Sequence, residues 1–153
     1  RAYHKTYSLD VVTTRCCNNY GPHQHTEKLL PKVISNALND IRIPVYGKGD
    51  NVREWIFVND HCRAIYEIYK SGQSGDIYNI GSGIETTNLA LVKNVLTCID
   101  KPFGLIKFVN DRLGHDFRYS IDSSKFMNLC PDFKFTEFNE GLDETIRWYS
   151  ENI

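Results

Sequence analysis

The sequence contains no paired-cysteine motif and no long apolar run, and both absences limit what the protein can be. The cysteines form no Cys-x-x-Cys pair for zinc or redox chemistry, so we expect free thiols in a reducing cytoplasm. No apolar stretch is long enough to cross a bilayer as a helix, so we expect no membrane partner. The formal net charge of −1 provides no basic surface, and no nucleic-acid partner is expected. The five cysteines are Cys16, Cys17, Cys62, Cys98 and Cys130.

Recognisable catalytic and metal-binding patterns are also absent. His23 and His25 lie two residues apart, but no further ligands stand near them; a solvated loop explains the pair, and no metal site is predicted. Residues 81–83 (Gly-Ser-Gly) are too short for a dinucleotide fingerprint and indicate a strand-to-helix turn. No spacing of Ser, His and Asp and no pair of carboxylates marks a catalytic centre. The residues alone therefore predict a binding surface without catalytic groups.

The chain has 153 residues, enough for one domain with a core, and its pattern alternates short strands with helices. This alternation predicts an α/β fold. Residues 11–16 (Val-Val-Thr-Thr-Arg-Cys) are rich in strand formers, and their low polarity is typical of a parallel strand covered on both faces. We predict a turn-rich loop at residues 18–22 (Asn-Asn-Tyr-Gly-Pro). Ligands of open α/β sheets bind beyond the carboxyl ends of such strands, which makes this loop a candidate site.

The first full helix is predicted from apolar pairs that recur every four residues between Leu29 and Leu38. Pro31 fits only in its first turn, so the helix begins near Lys28. The preceding loop then delivers Glu27 and Lys28 to the helix N-terminus, a position that favours anions.

Residues 43–64 are the stretch around which the chain is organised. They predict a strand at 44–46, a glycine turn at 47–50, a strand at 52–58 and a helix beginning at Asn59 or Asp60. Arg53 offers a planar set of donors that matches a phosphate, and the aromatic Tyr46 could hold a base. The alternative is an ordinary hairpin with a solvated arginine.

The remaining pattern predicts further helices and strands. The helix at 60–70 is expected to bury Cys62, Ile65 and Tyr69. Strands are predicted at 76–80 and 106–109, and helices after a Thr87 cap, at 123–129 and from 138 to 149. Between them, residues 111–118 hold two aspartates, two arginines and a histidine, which form either a solvated turn with local ion pairs or part of a binding site.

Several motifs, in order along nearly the whole chain, resemble the extended short-chain dehydrogenase/reductase family. Within that family the likeness is to the nucleotide-sugar 4,6-dehydratases that act on dTDP-glucose. The motifs lie at residues 18–22, 27–31 (Glu-Lys-Leu-Leu-Pro), 44–55 (Pro-Val-Tyr-Gly-Lys-Gly-Asp-Asn-Val-Arg-Glu-Trp), 78–81, 88–89, 111–119 and 145–149.

The resemblance implies the C-terminal part of an extended short-chain dehydrogenase/reductase fold. Residues 1–25 would be the remnant of a Rossmann domain, and residues 26–153 mostly a nucleotide-sugar-binding domain, with some segments packing back on the Rossmann part. The family's NAD site, its Tyr-x-x-x-Lys pair and the dehydratases' Asp-Glu pair lie outside this stretch. The resemblance therefore implies no catalytic residue in this chain, an inactive chain on its own, and an NAD-dependent homodimer as the complete enzyme.

The resemblance also assigns binding roles. Asn18 would meet the sugar substrate, and Asn19 would lie by the nicotinamide end of NAD. Leu113 stands where the family usually has proline, which loosens the turn that carries Arg112 and His115. The remaining assignments are Lys28 and Leu29 beside the nucleotide, Pro44 and Tyr46 around the thymine, Arg53 on the diphosphate, and Asn88, Arg112 and His115 completing the pocket.

Two other interpretations stay open. The complete protein could be a related UDP-sugar epimerase, decarboxylase or dehydratase, although the motifs at 27–31 and 46–55 favour dTDP-glucose. It could also be a nucleotide-sugar-binding module without catalysis, because no catalytic residue is recognised in the chain.

Overall fold

The computed structural model describes all residues, 1–153, and alternates strands and helices as the pattern predicts. A short 3₁₀ turn, Phe103–Leu105, precedes the seventh strand. The strands are β1 (Thr13–Cys16), β2 (Asn18–Tyr20), β3 (Ile43–Tyr46), β4 (Val52–Phe57), β5 (Ile77–Ile80), β6 (Glu85–Thr87), β7 (Ile106–Val109) and β8 (Arg118–Tyr119). The helices are α1 (Ala2–Tyr7), α2 (Leu29–Leu38), α3 (Val58–Ser71), α4 (Asn88–Cys98), α5 (Ser124–Leu129) and α6 (Phe138–Asn152).

Strand β4 is the centre of the largest sheet. It pairs in parallel with β2, antiparallel with β6 and in parallel with β8, so both of its edges are occupied. Two further parallel pairs stand apart, β1 with β5 and β3 with β7. Because β3 pairs with β7 and not with β4, the hairpin alternative for residues 43–58 is wrong. The predominance of parallel pairs confirms the α/β class.

Two hydrophobic clusters stabilise the fold. The larger has 15 buried residues, drawn chiefly from β2, β3, β4, α2, α4 and α6. The smaller has six, among them Ile56 of β4, Ile68 of α3 and Phe126 of α5. Since β4 contributes Trp55 and Phe57 to the first cluster and Ile56 to the second, its alternating side chains join the two. No helix of the structure is both long and apolar enough to cross a membrane.

Strand β1 differs from the prediction for residues 11–16. It begins at Thr13 rather than Val11, and its side chains are mostly exposed, not covered on both faces. The physical reason is that β1 has a single partner, β5, so its other edge is open and no helix packs over most of its surface. The apolar character of residues 11–12 contributes to the core, because Val12 packs against the smaller cluster.

The predicted loop at residues 18–22 is also partly wrong, because its first three residues form β2. Asn18 pairs with Trp55 and Tyr20 with Phe57 in the parallel register of β4. One edge of β4 gives these residues backbone partners, and that tertiary pairing overrides the turn preference of asparagine. The turn follows at Gly21.

Helix α3 begins at Val58, slightly earlier than predicted, and its buried face is not the predicted one. Asp60, Ala64 and Ile68 face inward at four-residue spacing. Asp60 does not cap the helix: its carboxylate accepts hydrogen bonds from the Thr136 N–H at 2.6 Å and the Thr136 hydroxyl at 3.0 Å. This inward acidic residue sets the phase of the helix, so the prediction that Cys62, Ile65 and Tyr69 are buried is wrong; all three are exposed.

Several local predictions are confirmed. Helix α2 follows Lys28 and holds Pro31 in its first turn. The Thr87 hydroxyl caps α4 by accepting from the Ala90 N–H at 3.1 Å. In the turn after β3, Gly49 has φ of 75°, and a Cβ atom there would lie 2.8 Å from the Leu89 Cβ, so only glycine fits. The turn therefore packs closely on the start of α4.

Candidate functional site

A cavity of about 280 Å³ lies where β2, β4 and the start of α2 meet. The structure thus brings together Asn18, Asn19, Lys28 and Leu29, four of the residues that the resemblance assigns to ligand binding. Lys28 precedes the first turn of α2, whose free N–H groups favour an anion, and Lys28 pairs with no carboxylate. The lining residues are Asn18, Asn19, Gln24, Lys28, Leu29 and Trp55.

A larger hollow of about 570 Å³ lies elsewhere, between α3 and the segment that follows α5. None of the predicted site residues lines it, and its walls include exposed groups such as Tyr66 and Lys134. Size alone therefore does not identify the functional site, and the chemistry of the lining residues favours the smaller cavity.

Two cavity residues that sequence reasoning missed, Gln24 and Trp55, carry polar atoms without partners. The Gln24 side chain donates from Nε2 to the Asn19 carbonyl at 2.8 Å, which leaves Oε1 buried and unpaired. The Trp55 side chain, only 4 % exposed, has no acceptor for its indole N–H. Trp55 lies inside the organising stretch, but nothing in its spacing signalled a polar role; Gln24 lies between two motifs and gave no signal.

The Asn19 carboxamide is held in one orientation. Its Nδ2 donates to the Cys17 carbonyl and to the Cys16 sulfur, both at 3.2 Å, so its Oδ1 faces the His61 Nδ1 at 2.8 Å. This arrangement assigns the proton of a neutral His61 to Nδ1. Burial lowers the pKa of His61, which favours that neutral form, and its Nε2 is buried without a partner. Sequence reasoning missed His61; its position one residue after the inward Asp60 was the only signal.

A second group surrounds Tyr46, on the outward face that it shares with Pro44 at the end of β3. The Arg112 guanidinium lies 4.9 Å from the Tyr46 ring centroid, and the His115 ring meets it edge-on at 6.4 Å. The His115 Nδ1 lies 2.7 Å from an Asp111 carboxylate oxygen, and this hydrogen bond lowers the pKa of Asp111. The local side-chain contact of the sequence-based alternative is therefore present, but it is placed against the predicted base-binding tyrosine.

Arg53 is buried in β4, so the alternative of a solvated arginine is wrong. It is 7 % exposed and donates to the carbonyls of Val52 at 2.7 Å, Asp116 at 2.8 Å and Phe117 at 3.3 Å. Its guanidinium also lies 4.4 Å from the Tyr119 ring centroid. A guanidinium has five N–H donors. These three hydrogen bonds come from Nη1 and Nη2, so at least two of the five N–H groups, the Nε–H among them, have no protein partner.

The charge of Arg53 has no carboxylate partner in the structure. A buried cation without a counter-ion is costly, and the free N–H groups of a guanidinium can donate to phosphate oxygens. The side chain therefore has the orientation and the unbalanced charge that an anionic ligand requires.

Asn88 occupies the first position of α4, directly after the Thr87 cap. Its backbone N–H donates to the Asn51 carbonyl at 3.0 Å, which fixes it against the turn that precedes β4. The side-chain Oδ1 is buried and has no partner. Asn88 thus offers a buried side-chain oxygen that no group of the chain satisfies.

Buried and paired carboxylates hold the loop after β7 against β4. Glu54, 1 % exposed, accepts from the backbone N–H groups of Gly83 at 2.8 Å and Ile121 at 2.9 Å. Arg118 forms a two-pronged ion pair with Glu85 at 2.6 and 2.7 Å, and this pairing lowers the pKa of Glu85. These contacts fix the segment that supplies the Asp116 and Phe117 carbonyls to Arg53.

Parallel strands with helical crossovers, and ligand-type residues gathered from β2, α2, β3, β4 and α4, define an extended short-chain dehydrogenase/reductase fold. A model of the NAD dependent epimerase/dehydratase family matches residues 1–81, more than half of the chain. The chain therefore belongs to the NAD-dependent epimerase/dehydratase family.

Curated and solved relatives support the same placement. The chain is 45 % identical over 151 residues to a dTDP-glucose 4,6-dehydratase of Streptomyces niveus, with 99 % of this chain and 45 % of the relative covered. It matches the structure of DesIV, the dTDP-glucose 4,6-dehydratase of Streptomyces venezuelae solved with NAD bound, at 47 % identity and a TM-score of 0.94, covering 99 % of this chain and 47 % of the other. It also matches a dTDP-glucose 4,6-dehydratase structure from Bacillus anthracis in complex with NAD, at 45 % identity and a TM-score of 0.92. That match covers 99 % of this chain and 48 % of the other. The chain spans about half the length of the relatives it matches.

Proposed function

We propose that this chain is the nucleotide-sugar-binding portion of an NAD-dependent dTDP-glucose 4,6-dehydratase, an enzyme of deoxysugar biosynthesis. The observation that carries the proposal is Arg53, a buried guanidinium with no carboxylate partner and at least two N–H groups, the Nε–H among them, that have no protein partner. This is the side chain that the resemblance assigns to the diphosphate. Relatives at 41–45 % identity across nearly the whole chain carry that activity in their names.

The proposed ligand-binding role of each residue follows from its position in the structure. Tyr46 presents an aromatic face for the thymine, with Pro44 on the same side of β3 and Arg112 and His115 closing around the ring. Arg53 neutralises the diphosphate. Asn18, Lys28 and Leu29 line the cavity that would receive the adjoining part of the ligand, and Asn88 adds an acceptor. Binding energy collected far from the reacting carbons would hold the sugar still during the reaction.

The proposed function requires NAD as its cofactor. NAD would supply reversible hydride acceptance at the sugar. In this chain only Asn19 is assigned to its nicotinamide end. The Asn19 side chain would act as a rigid part of the site wall and not as a hydrogen-bonding group for the cofactor. Its Nδ2 donates to Cys17 and Cys16, and its Oδ1 contacts His61.

The proposal includes the arrangement of the complete protein. Residues 1–25 would belong to the Rossmann domain and residues 26–153 mostly to the nucleotide-sugar domain. The open edge of β1 supports this division, because a further parallel strand would complete its pairing. A cytoplasmic homodimer is the proposed working form.

An activity assay on the full-length protein tests the proposal. We expect the protein, supplied with NAD, to convert dTDP-glucose into the 4-keto-6-deoxy product and to leave UDP-glucose largely unchanged. The 153-residue chain, assayed in parallel, should give no product. Preference for UDP-glucose would favour the related UDP-sugar enzymes, and tight binding of dTDP-glucose without product would favour the non-catalytic module.

A further inference from the structure

Tyr119 of β8 contacts the Arg53 guanidinium directly. The two residues are register partners in the parallel pairing of β8 with β4, and the guanidinium carbon lies 4.4 Å from the centroid of the Tyr119 ring. The electron-rich face of an aromatic ring attracts a cation without neutralising its charge. This contact therefore supports the buried Arg53 and leaves its positive charge available to an anion.

The Tyr119 hydroxyl is hydrogen-bonded to a carboxylate oxygen of Asp116, which lies three residues earlier. This hydrogen bond and the negative charge of Asp116 raise the pKa of Tyr119, so the hydroxyl keeps its proton and donates. The backbone carbonyl of Asp116 accepts from the Arg53 Nη2 at 2.8 Å. Asp116 therefore approaches Arg53 through its main chain, while its side chain is held by Tyr119.

The Asp116 carboxylate is a competitor for the charge of Arg53. It belongs to a residue whose carbonyl already contacts the guanidinium, and rotation about its side-chain bonds could bring it toward the same group. The structure nevertheless contains no ion pair between the two residues. Glu85 of the neighbouring strand β6 is already paired with Arg118. An internal ion pair would occupy N–H groups of Arg53 and cancel the charge that an anionic ligand needs.

Resting on the proposed function, we propose that Tyr119 is a positioning residue for the diphosphate site. Its hydroxyl holds the Asp116 carboxylate away from Arg53, so the guanidinium remains free for the ligand. The diphosphate then displaces no internal ion pair when it binds, and none of its binding energy is lost in breaking one. This role differs from that of Arg53, because Tyr119 acts through Asp116 and need not touch the ligand.

A double-mutant cycle in the full-length protein tests this role. Tyr119→Phe removes the hydroxyl and keeps the ring on Arg53, and the residue is half exposed, so the fold should survive. The substitution should weaken dTDP binding roughly three- to fivefold, because the released carboxylate competes for Arg53. In an Asp116→Asn background no charge is released, and the same substitution should cost less than about twofold. Titration calorimetry with dTDP measures all four proteins.

The outcomes separate this role from the function on which it rests. Wild-type protein that does not bind dTDP overturns both. Wild type that binds dTDP, with equal losses from Tyr119→Phe in the two backgrounds or with no loss in either, overturns the role of Tyr119 alone. NAD affinity should be the same in all four proteins, and a parallel loss would show a structural effect and overturn the role as well. The matched control is Tyr69→Phe, which removes the hydroxyl of an exposed tyrosine on α3 and should leave dTDP affinity unchanged.

Discussion

Strands β4 and β1 look alike in the sequence and differ in the structure. Both are short runs rich in strand-forming residues, and both were predicted to be strands. In β4 every residue from Arg53 to Phe57 is buried, whereas in β1 three of four are exposed. The difference lies in their neighbours: β4 is paired along both edges, and β1 only along one.

The comparison shows which surroundings allow a strand to position a ligand-binding side chain. Strand β4 holds Arg53 and Trp55 on one side, and the carbonyls of Val52, Asp116 and Phe117 orient the Arg53 side chain. Its flanking strands also shield the Arg53 charge from water, which strengthens any interaction with an anion. Strand β1 carries an arginine too, Arg15, but that side chain is exposed and has no such environment.

The largest expected difference between the two strands is in stability. Ile56 is fully buried, so Ile56→Ala should lower the free energy of unfolding by about 2–5 kcal/mol through lost burial and a new cavity. Thr13→Ala in exposed β1 should stay within about 0.5 kcal/mol. Urea unfolding of the 153-residue chain measures both. Equal losses would show that β1 is packed against something that the structure does not contain.

The next difference is in ligand affinity. Arg53→Lys keeps the charge but removes the planar set of donors, so the full-length protein should bind dTDP about ten- to a hundredfold more weakly, a loss of about 1.5–3 kcal/mol. Arg15→Lys is the matched control and should leave dTDP binding unchanged. Titration calorimetry with dTDP isolates the nucleotide from the sugar chemistry. Unchanged affinity in Arg53→Lys would remove this side chain from the proposed site.

Much of the fold was accessible from local patterns, because those patterns act within a few residues. The proline in the first turn of α2 and the Thr87 cap of α4 each fix a helix start by local hydrogen bonding. The resemblance supplied the residues around the cavity and Tyr46, four of which the structure gathers in one place. Arg53 was also predicted to bind a phosphate from the chemistry of its side chain alone.

The errors share a physical cause, which is contact between distant parts of the chain. Strands β2 and β6 have three residues each and exist because the edges of β4 give their backbones partners. Helix α3 is turned by Asp60, whose partner Thr136 is 76 residues away. His61, Gln24 and Trp55 become notable only through unpaired atoms, and a single sequence does not show which atoms find partners.

A smaller effect tests the open edge of β1. The N–H groups of Thr13 and Cys17 bond to β5, so by alternation Arg15 also faces β5 and Thr14 faces the open edge. In the 153-residue chain, Arg15→Pro should therefore cost about 1 kcal/mol more than Thr14→Pro, through one lost ladder bond. Urea unfolding measures the difference. In the full-length protein we expect the two costs to become similar, because a neighbouring strand would cover the edge; a persistent difference would contradict the proposed domain division.

The smallest expected effect concerns His61, which joins α3 to β2 through Asn19 on the well-packed side of the molecule. Burial lowers its folded pKa below the ordinary value, while the unfolded chain has the ordinary one. As the pH falls below about 6.5, the unfolded state therefore binds a proton before the folded state does, and stability is lost until the pH passes the folded pKa. Well above pH 6.5 neither state is protonated and the effect vanishes.

His61→Gln removes this titration and retains a donor for the Asn19 Oδ1, so the fold should survive. The variant should lose less stability than wild type between about pH 7 and pH 5. The slopes of the unfolding free energy against pH should differ by the equivalent of less than one bound proton. Urea unfolding at several pH values measures it, and His25→Gln controls for removing a histidine from an exposed loop. A His61→Gln profile that follows wild type through this range would mean that His61 is protonated as easily in the folded protein as in the unfolded chain. The lowered pKa would then be the wrong description of this part-buried imidazole, whereas the Nδ1–H donor to Asn19 would remain, because both the neutral ring and the imidazolium can carry it.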